Sequence, residues 1–209
     1  METQHLRLEP TLVGRPRRPF AGLLVLWLTL MVWVAAAPAV VRAAASVRLH
    51  SEARMLEILH AERTLLTYTF ATNQFKPYVR ELITLDGVDL LRDAPADHLH
   101  HHGLMYAIKV NGINFWEEAP TAGRQVPQAE LIREVRKDPA GRPQARFTQV
   151  VHWVEAGHAT ARDTQPFALL IEERTITITT DPATEQILLE WEADFTVGAG
   201  TPEAVLTGG

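Results

Sequence analysis

The chain has 209 residues, 20 Lys plus Arg against 25 Asp plus Glu, a formal net charge of −5 and no cysteine. That length suits one domain, and the absence of cysteine excludes disulfide bracing and thiolate chemistry. The acidic balance speaks against nucleic acid or anionic lipid as a partner, because phosphate binding needs clustered positive charge.

The N-terminal stretch reads as an export signal. Arg7, Arg15, Arg17 and Arg18 precede an uncharged run from Phe20 to Val41, which ends in Arg42-Ala43-Ala44-Ala45. A basic n-region, an apolar h-region and a small-x-small site are the parts of a secretory signal. The expected division is a signal helix over residues 1–45, cleaved near Ala45, and a domain over 46–209 placed in the periplasm or outside the cell. Arg17-Arg18-Pro19-Phe20 also has the form of a twin-arginine signal. If uncleaved, the apolar run is long enough to anchor the chain in a bilayer, which would be its only membrane contact. The first 45 residues hold five of the basic and two of the acidic residues, so the remainder carries 15 against 23, a net −8.

Beyond the signal, Ser51–His60 suits either a short helical turn or a strand. From Glu62 to Phe70 the pattern has period two, with Leu66, Tyr68 and Phe70 opposing Thr67 and Thr69. Successive strand side chains point to opposite faces, and β-branched threonine suits the pleated surface. Asp86-Gly87 marks a turn. Asn111-Gly112, between Lys109-Val110 and Ile113-Asn114, is a strong hairpin signal, since both residues tolerate the positive φ of a type I′ turn. Pro139–Pro143 joins the strand-like Glu130–Arg136 to Gln144–Val154. Ile176 and Ile178 alternate with Thr175, Thr177 and Thr179, and Asp181-Pro182 closes that strand. Leu189, Trp191, Ala193 and Phe195 oppose Leu188, Glu190, Glu192 and Asp194. Gly198–Pro202 is a turn, and Glu203–Leu206 starts a strand with no evident partner, as expected of a fragment cut short at its C-terminus. Short strands separated by turns predict an all-β fold, an antiparallel β-sandwich, with Leu66, Tyr68, Phe70, Ile176, Ile178, Trp191 and Phe195 in its core.

Four histidines in five positions, His98 and His100–His102, are the most distinctive feature. If the segment is extended, His98, His100 and His102 share one face and His101 opposes them. Neutral imidazoles at that spacing can hold a divalent metal, with His98, His100 and His102 as the candidate set. Alternatively His100, His101 and His102 contact a ligand or exchange protons with it near neutral pH, or the cluster is structural. Mutual repulsion is expected to lower their pKa values. Downstream, Trp116 suits the core or a stacking platform for a sugar ring, with Asn114 and Glu117 beside it as candidate ligand contacts. His152 reads as a hydrogen-bonded core histidine, and Glu190, Glu192 and Asp194 as the wet side of a sheet. No phosphate-cradling loop, nucleophile elbow or zinc-protease motif is present, so no cofactor is implied beyond that possible metal.

Lys76-Pro77-Tyr78-Val79, Leu85-Asp86-Gly87-Val88, Asp97–Leu104 and Val110–Glu117 together resemble the bacterial exported PmoA-like family, a domain of unknown function. The resemblance runs from Glu62 to the end, and the block from Asp97 to Trp116 is its specific part. The family name suggests a methane monooxygenase subunit. Such a subunit crosses the membrane several times, whereas this chain has a single apolar segment, so methane oxidation is not implied. A looser analogy links the pattern to mutarotase-like supersandwiches, in which histidines and a late carboxylate act on a sugar. The expectation is an exported domain that binds or acts on a carbohydrate-type or other small ligand through its histidine-rich strand. A periplasmic metal-binding protein and a non-catalytic interaction domain are the alternatives.

Overall fold

The structure, a computed structural model, describes residues 45–50 and 52–208. The expected signal helix lies outside the described residues, apart from Ala45, which opens the first strand. Among the described residues no helix is long and apolar enough to cross a membrane.

Among the described residues, eleven strands form three antiparallel sheets. Sheet I joins β1 (Ala45–His50), β2 (Met55–His60), β3 (Arg63–Thr69) and β4 (Tyr78–Leu82) in that order. Sheet II runs β10-β9-β8-β7, from β7 (Arg124–Lys137), β8 (Pro143–Val154), β9 (Ala168–Asp181) and β10 (Gln186–Val197). Sheet III is small and runs β11-β5-β6, from β5 (Lys109–Val110), β6 (Ile113–Asn114) and β11 (Leu206–Thr207).

The turn chemistry acts as the sequence implies. Asn111 and Gly112 both take positive φ, 51° and 80°, between β5 and β6. Gly141 at φ 80° closes the β7–β8 turn, where Asp138 accepts from the Arg142 backbone and side chain. Within Ser51–His60 the choice between helical turn and strand falls to strand, with β2 over Met55–His60. The C-terminal strand does have a partner: Leu206 faces Val110 and Thr207 faces Lys109 on β5, and the Asn111 side chain ties down Glu203 and Val205.

The sandwich core lies between sheet I and half of sheet II. Leu56, Ile58, Leu66, Tyr68 and Val79 meet Ala145, Phe147, Ile176 and Ile178 across the gap. A register break between β2 and β3 leaves Leu65 without a partner in the ladder and buries it with Leu66 in this core. β3 is therefore buried on both faces rather than one. Its threonines are covered too, Thr67 donating to Glu81 and Thr69 to Gln74. The other half of the same sheet II face meets sheet III, in a second cluster of Val110, Phe115, Val151, Trp153 and Leu170.

Trp191 and Phe195, expected in the core, are half-buried, because β10 is the outermost strand and sheet I does not fully cover it. Between the two clusters lies a layer the alternation pattern conceals. Arg174 and Glu172, both fully buried, pair through two 2.7 Å hydrogen bonds. The Arg174 guanidinium also donates to the Pro77 carbonyl, Gln125 and Tyr68, while Glu172 accepts from the Trp153 indole. Burial pushes the Tyr68 hydroxyl up to about 12, against the pull of Arg174.

Candidate functional site

The site is built on the long connection from β4 to β7, which wraps the sheet III end. Val79 on β4 exchanges two 2.9 Å backbone hydrogen bonds with Leu104. Gly103 sits hard against β4, where a Cβ would collide with the Val79 carbonyl oxygen. Only glycine permits this approach, and it fixes His102 beside Tyr78, their rings stacked at 4.4 Å.

The residues before Gly103 are not a strand. His98 donates its backbone N–H to Pro95, His101 to His98, and Ala94 to His101, so the segment is a pair of turns. The expected two-faced arrangement is thereby replaced by a split. His98 stacks on His101 at 4.6 Å, His100 meets His101 edge-on at 4.5 Å, and His101 meets the Trp116 ring edge-on at 5.5 Å. His102 turns the other way, with Nδ1 2.7 Å from Asp93 and Nε2 3.0 Å from Glu118. The candidate metal set of His98, His100 and His102 is therefore not assembled. Among the described residues no three His, Cys, Asp or Glu side chains are arranged to hold a metal.

Both partners of His102 are carboxylates, which accept only, so the ring satisfies both by carrying two protons. Its pKa is raised by the hydrogen bond to Glu118, with Asp93 adding to that and burial opposing it. The expected lowering by mutual repulsion fails at His102 because its neighbours are anions. It holds at His101, which partial loss of water lowers first and the charges of His100 and His98 lower further. Glu118 also accepts from Lys76 at 3.0 Å, and Lys76, only 1% exposed, donates to the Trp116 carbonyl as well. Burial works against the Glu118 charge, yet hydrogen bonds from His102 and Lys76 outweigh it and hold the carboxyl down to about 2. Tyr78 closes the chain by donating to Asp93 at 3.1 Å, and burial together with the Asp93 charge pushes its hydroxyl well up. The result is a continuous Lys76–Glu118–His102–Asp93–Tyr78 network.

Near this network, which reaches Trp116 through its backbone carbonyl, lies an open groove of about 440 Å³ whose lining includes His100, Ile108, Lys109, Asn114, Trp116 and Glu117. Of the six residues expected to contact a ligand, His100, Asn114, Trp116 and Glu117 line this groove, and His101 and His102 do not. Asn114 also shapes the groove, because its side-chain oxygen accepts from the backbone N–H of Trp116 and Glu117 and so makes the turn that presents them. Trp116 is 36% exposed and is not a core residue.

A family model, described as a family of unknown function (DUF6807), matches residues 55–203. The chain belongs to the DUF6807 family. The match bears out the expected domain of unknown function, and nothing in it connects the family to PmoA or to exported proteins. No curated protein and no solved structure matches the chain. The DUF6807 match spans every element that builds the groove except β11, which follows it.

Sequence reasoning missed Lys76, Asp93, Tyr78 and Lys109. Lys76 and Tyr78 carry a faint signal in the Lys-Pro-Tyr block, but Asp93 has none, since only folding brings it to His102. His152 is a buried histidine paired with Thr164 at 2.8 Å, and Glu190, Glu192 and Asp194 are exposed on β10, both as the plain reading of the sequence has it.

Proposed function

We propose that this DUF6807 domain is exported and binds a small carbohydrate-type ligand in the groove beside Trp116. The observation that carries the reading is the grouping of an exposed indole with a carboxylate, an imidazole and an ammonium, from Glu117, His100 and Lys109. An aromatic face packs against the C–H surface of a sugar ring, while a few polar groups around it fix the hydroxyls. Lys76 supports the platform from behind by holding the Trp116 carbonyl. Of the three candidate catalytic imidazoles, His100 alone lines the groove and is the one placed to exchange a proton with a bound ligand. His101 meets the Trp116 ring edge-on, and His102 has both nitrogens engaged by Asp93 and Glu118.

Screening the purified protein against an immobilised glycan panel, followed by calorimetric titration of the positives, tests the reading. Saturable binding of a sugar that disappears in Trp116→Ala supports it. Failure of every sugar to bind a correctly folded sample, or binding unchanged by Trp116→Ala, overturns it. Export is tested separately, by N-terminal sequencing of the protein recovered outside the cytoplasm, which is expected to begin near Ser46.

A further inference from the structure

Sheet II has two edges, and the protein treats them differently. An unpaired edge strand offers a row of free N–H and C=O groups to any passing strand, and proteins normally blunt it with Pro, Lys, a bulge or a cover. β7 is blunted in these ways: it contains Pro127, Arg133, Arg136 and Lys137, and its register with β8 breaks between Pro127 and Leu131. β10, at the other edge, contains no Pro, Lys or Arg and pairs with β9 over its whole length, Gln186–Val197, without one register shift. No described strand lies on its outer side.

The side chains of β10 specify what would fit there. Glu190, Glu192 and Asp194 alternate along its solvent face, all exposed, and none joins an ion pair among the described residues. On the inner face Leu189, Trp191, Ala193 and Phe195 are only half-buried, so the apolar layer reaches the edge without being closed off. The Trp191 indole N–H is buried with no hydrogen-bond partner, an omission native interiors rarely leave. Beside the first residues of β10 lies an open groove of about 520 Å³ with a mixed lining, in which Arg142, Asp181 and Glu185 join Ile187 and the exposed Leu90 and Leu188.

We infer that β10 is a docking edge for an extended segment of another protein, which adds to sheet II as a fifth strand and carries Lys or Arg at alternate positions with apolar residues between them. The basic side chains would face Glu190, Glu192 and Asp194, and the apolar ones would extend the layer past Trp191 and Phe195. Main-chain pairing supplies affinity and the alternating side chains supply selectivity. A second copy of this chain is the wrong occupant: two-fold pairing of β10 with itself sets carboxylate against carboxylate, and like charges directly opposed destabilise a sheet.

The probe is a labelled peptide of about ten residues, the length of a long strand, alternating Lys and Val, titrated into the purified protein by fluorescence anisotropy. Saturable binding that protects the β10 amides from hydrogen exchange is expected, with no binding of the matching Glu–Val peptide. N-methylation of the amides on one edge of the Lys–Val peptide should abolish binding by removing its ladder donors. The triple variant Glu190→Lys, Glu192→Lys, Asp194→Lys changes only exposed positions. It should keep its melting temperature, bind Lys–Val at least about tenfold more weakly, as a few cross-strand charge pairs imply, and gain Glu–Val binding. Equal binding of the N-methylated peptide, equal Lys–Val binding by the triple variant, or a wild-type dimer with its own β10 amides protected would each overturn the inference.

Discussion

Two clusters of charge in this protein use similar chemistry in different surroundings. The Glu172–Arg174 pair lies in a dry layer between two hydrophobic clusters, with Tyr68, Gln125, Trp153 and the Pro77 carbonyl saturating it. The Lys76–Glu118–His102–Asp93 network lies at the rim, where the His102 side chain is 14% and that of Glu118 26% exposed. Burial raises the stakes of a polar network in both directions, because each lost partner leaves a desolvated group behind. In the dry layer burial works against the Arg174 charge, yet Tyr68 and Glu172 outweigh it and push the guanidinium further up. At the rim the His102 pKa is raised by its hydrogen bond to Glu118. Histidine is the side chain whose ordinary pKa lies nearest neutrality, so this cluster responds to pH while the inner one holds the fold.

The largest expected effect breaks the inner cluster. Arg174→Met strands Glu172 in a fully buried site and should cost about 3–5 kcal/mol in urea unfolding. Replacing both, as Glu172→Leu with Arg174→Met, should cost much less than Arg174→Met alone, because no uncompensated charge remains. A double variant as unstable as the single one would show that the pair contributes more than mutual compensation.

The next effect isolates the rim. Gly103→Ala forces a Cβ against the Val79 carbonyl and should cost about 1–3 kcal/mol, the range for overpacking. The His102 signals in a nitrogen-detected NMR titration should move toward ordinary histidine values as the ring loses its register with Asp93 and Glu118. Loss of stability with an unmoved His102 titration would separate the glycine from the site.

A smaller effect concerns pH. His102 has a raised folded pKa, so its contribution is fully present below the unfolded value near 6.5 and is lost as pH rises through the folded value. Glu118 is held down to about 2 from 4.5, so its contribution is present above 4.5 and is lost as pH falls from there toward 2. Stability from this network should therefore be greatest between about pH 4.5 and 6.5. After discounting for partial exposure, the acid limb set by Glu118 should amount to roughly 1–2 kcal/mol. His102→Gln should flatten the alkaline limb of the stability profile, and an unchanged profile would refute the assignment.

The smallest effect on stability is expected at the groove. Trp116→Ala should change unfolding free energy by no more than about 0.5 kcal/mol, since the ring is partly exposed and the backbone turn is held by Asn114. A loss of several kcal/mol would make Trp116 a packing residue after all.

The all-β class, the Asn111-Gly112 hairpin and the alternation of β10 were legible in the sequence, because each rests on neighbours in the chain. Period-two burial and turn chemistry are local properties, written within a few residues. What only the tertiary structure decided depends on contacts between distant segments. β3 is buried on both faces because a bulge turns Leu65 inward and Glu81 and Gln74 cover its threonines, and Trp191 is half-buried because β10 has no strand beyond it among the described residues. Arg174 and Glu172 turn inward because Tyr68, Gln125 and Pro77 arrive from other parts of the fold to satisfy them. The histidine run folds into turns rather than a strand, and Asp93 and Glu118 converge on His102 from either side of it. Charged groups take their protonation states from whatever folding brings beside them, and that proximity is written in no single stretch of the chain.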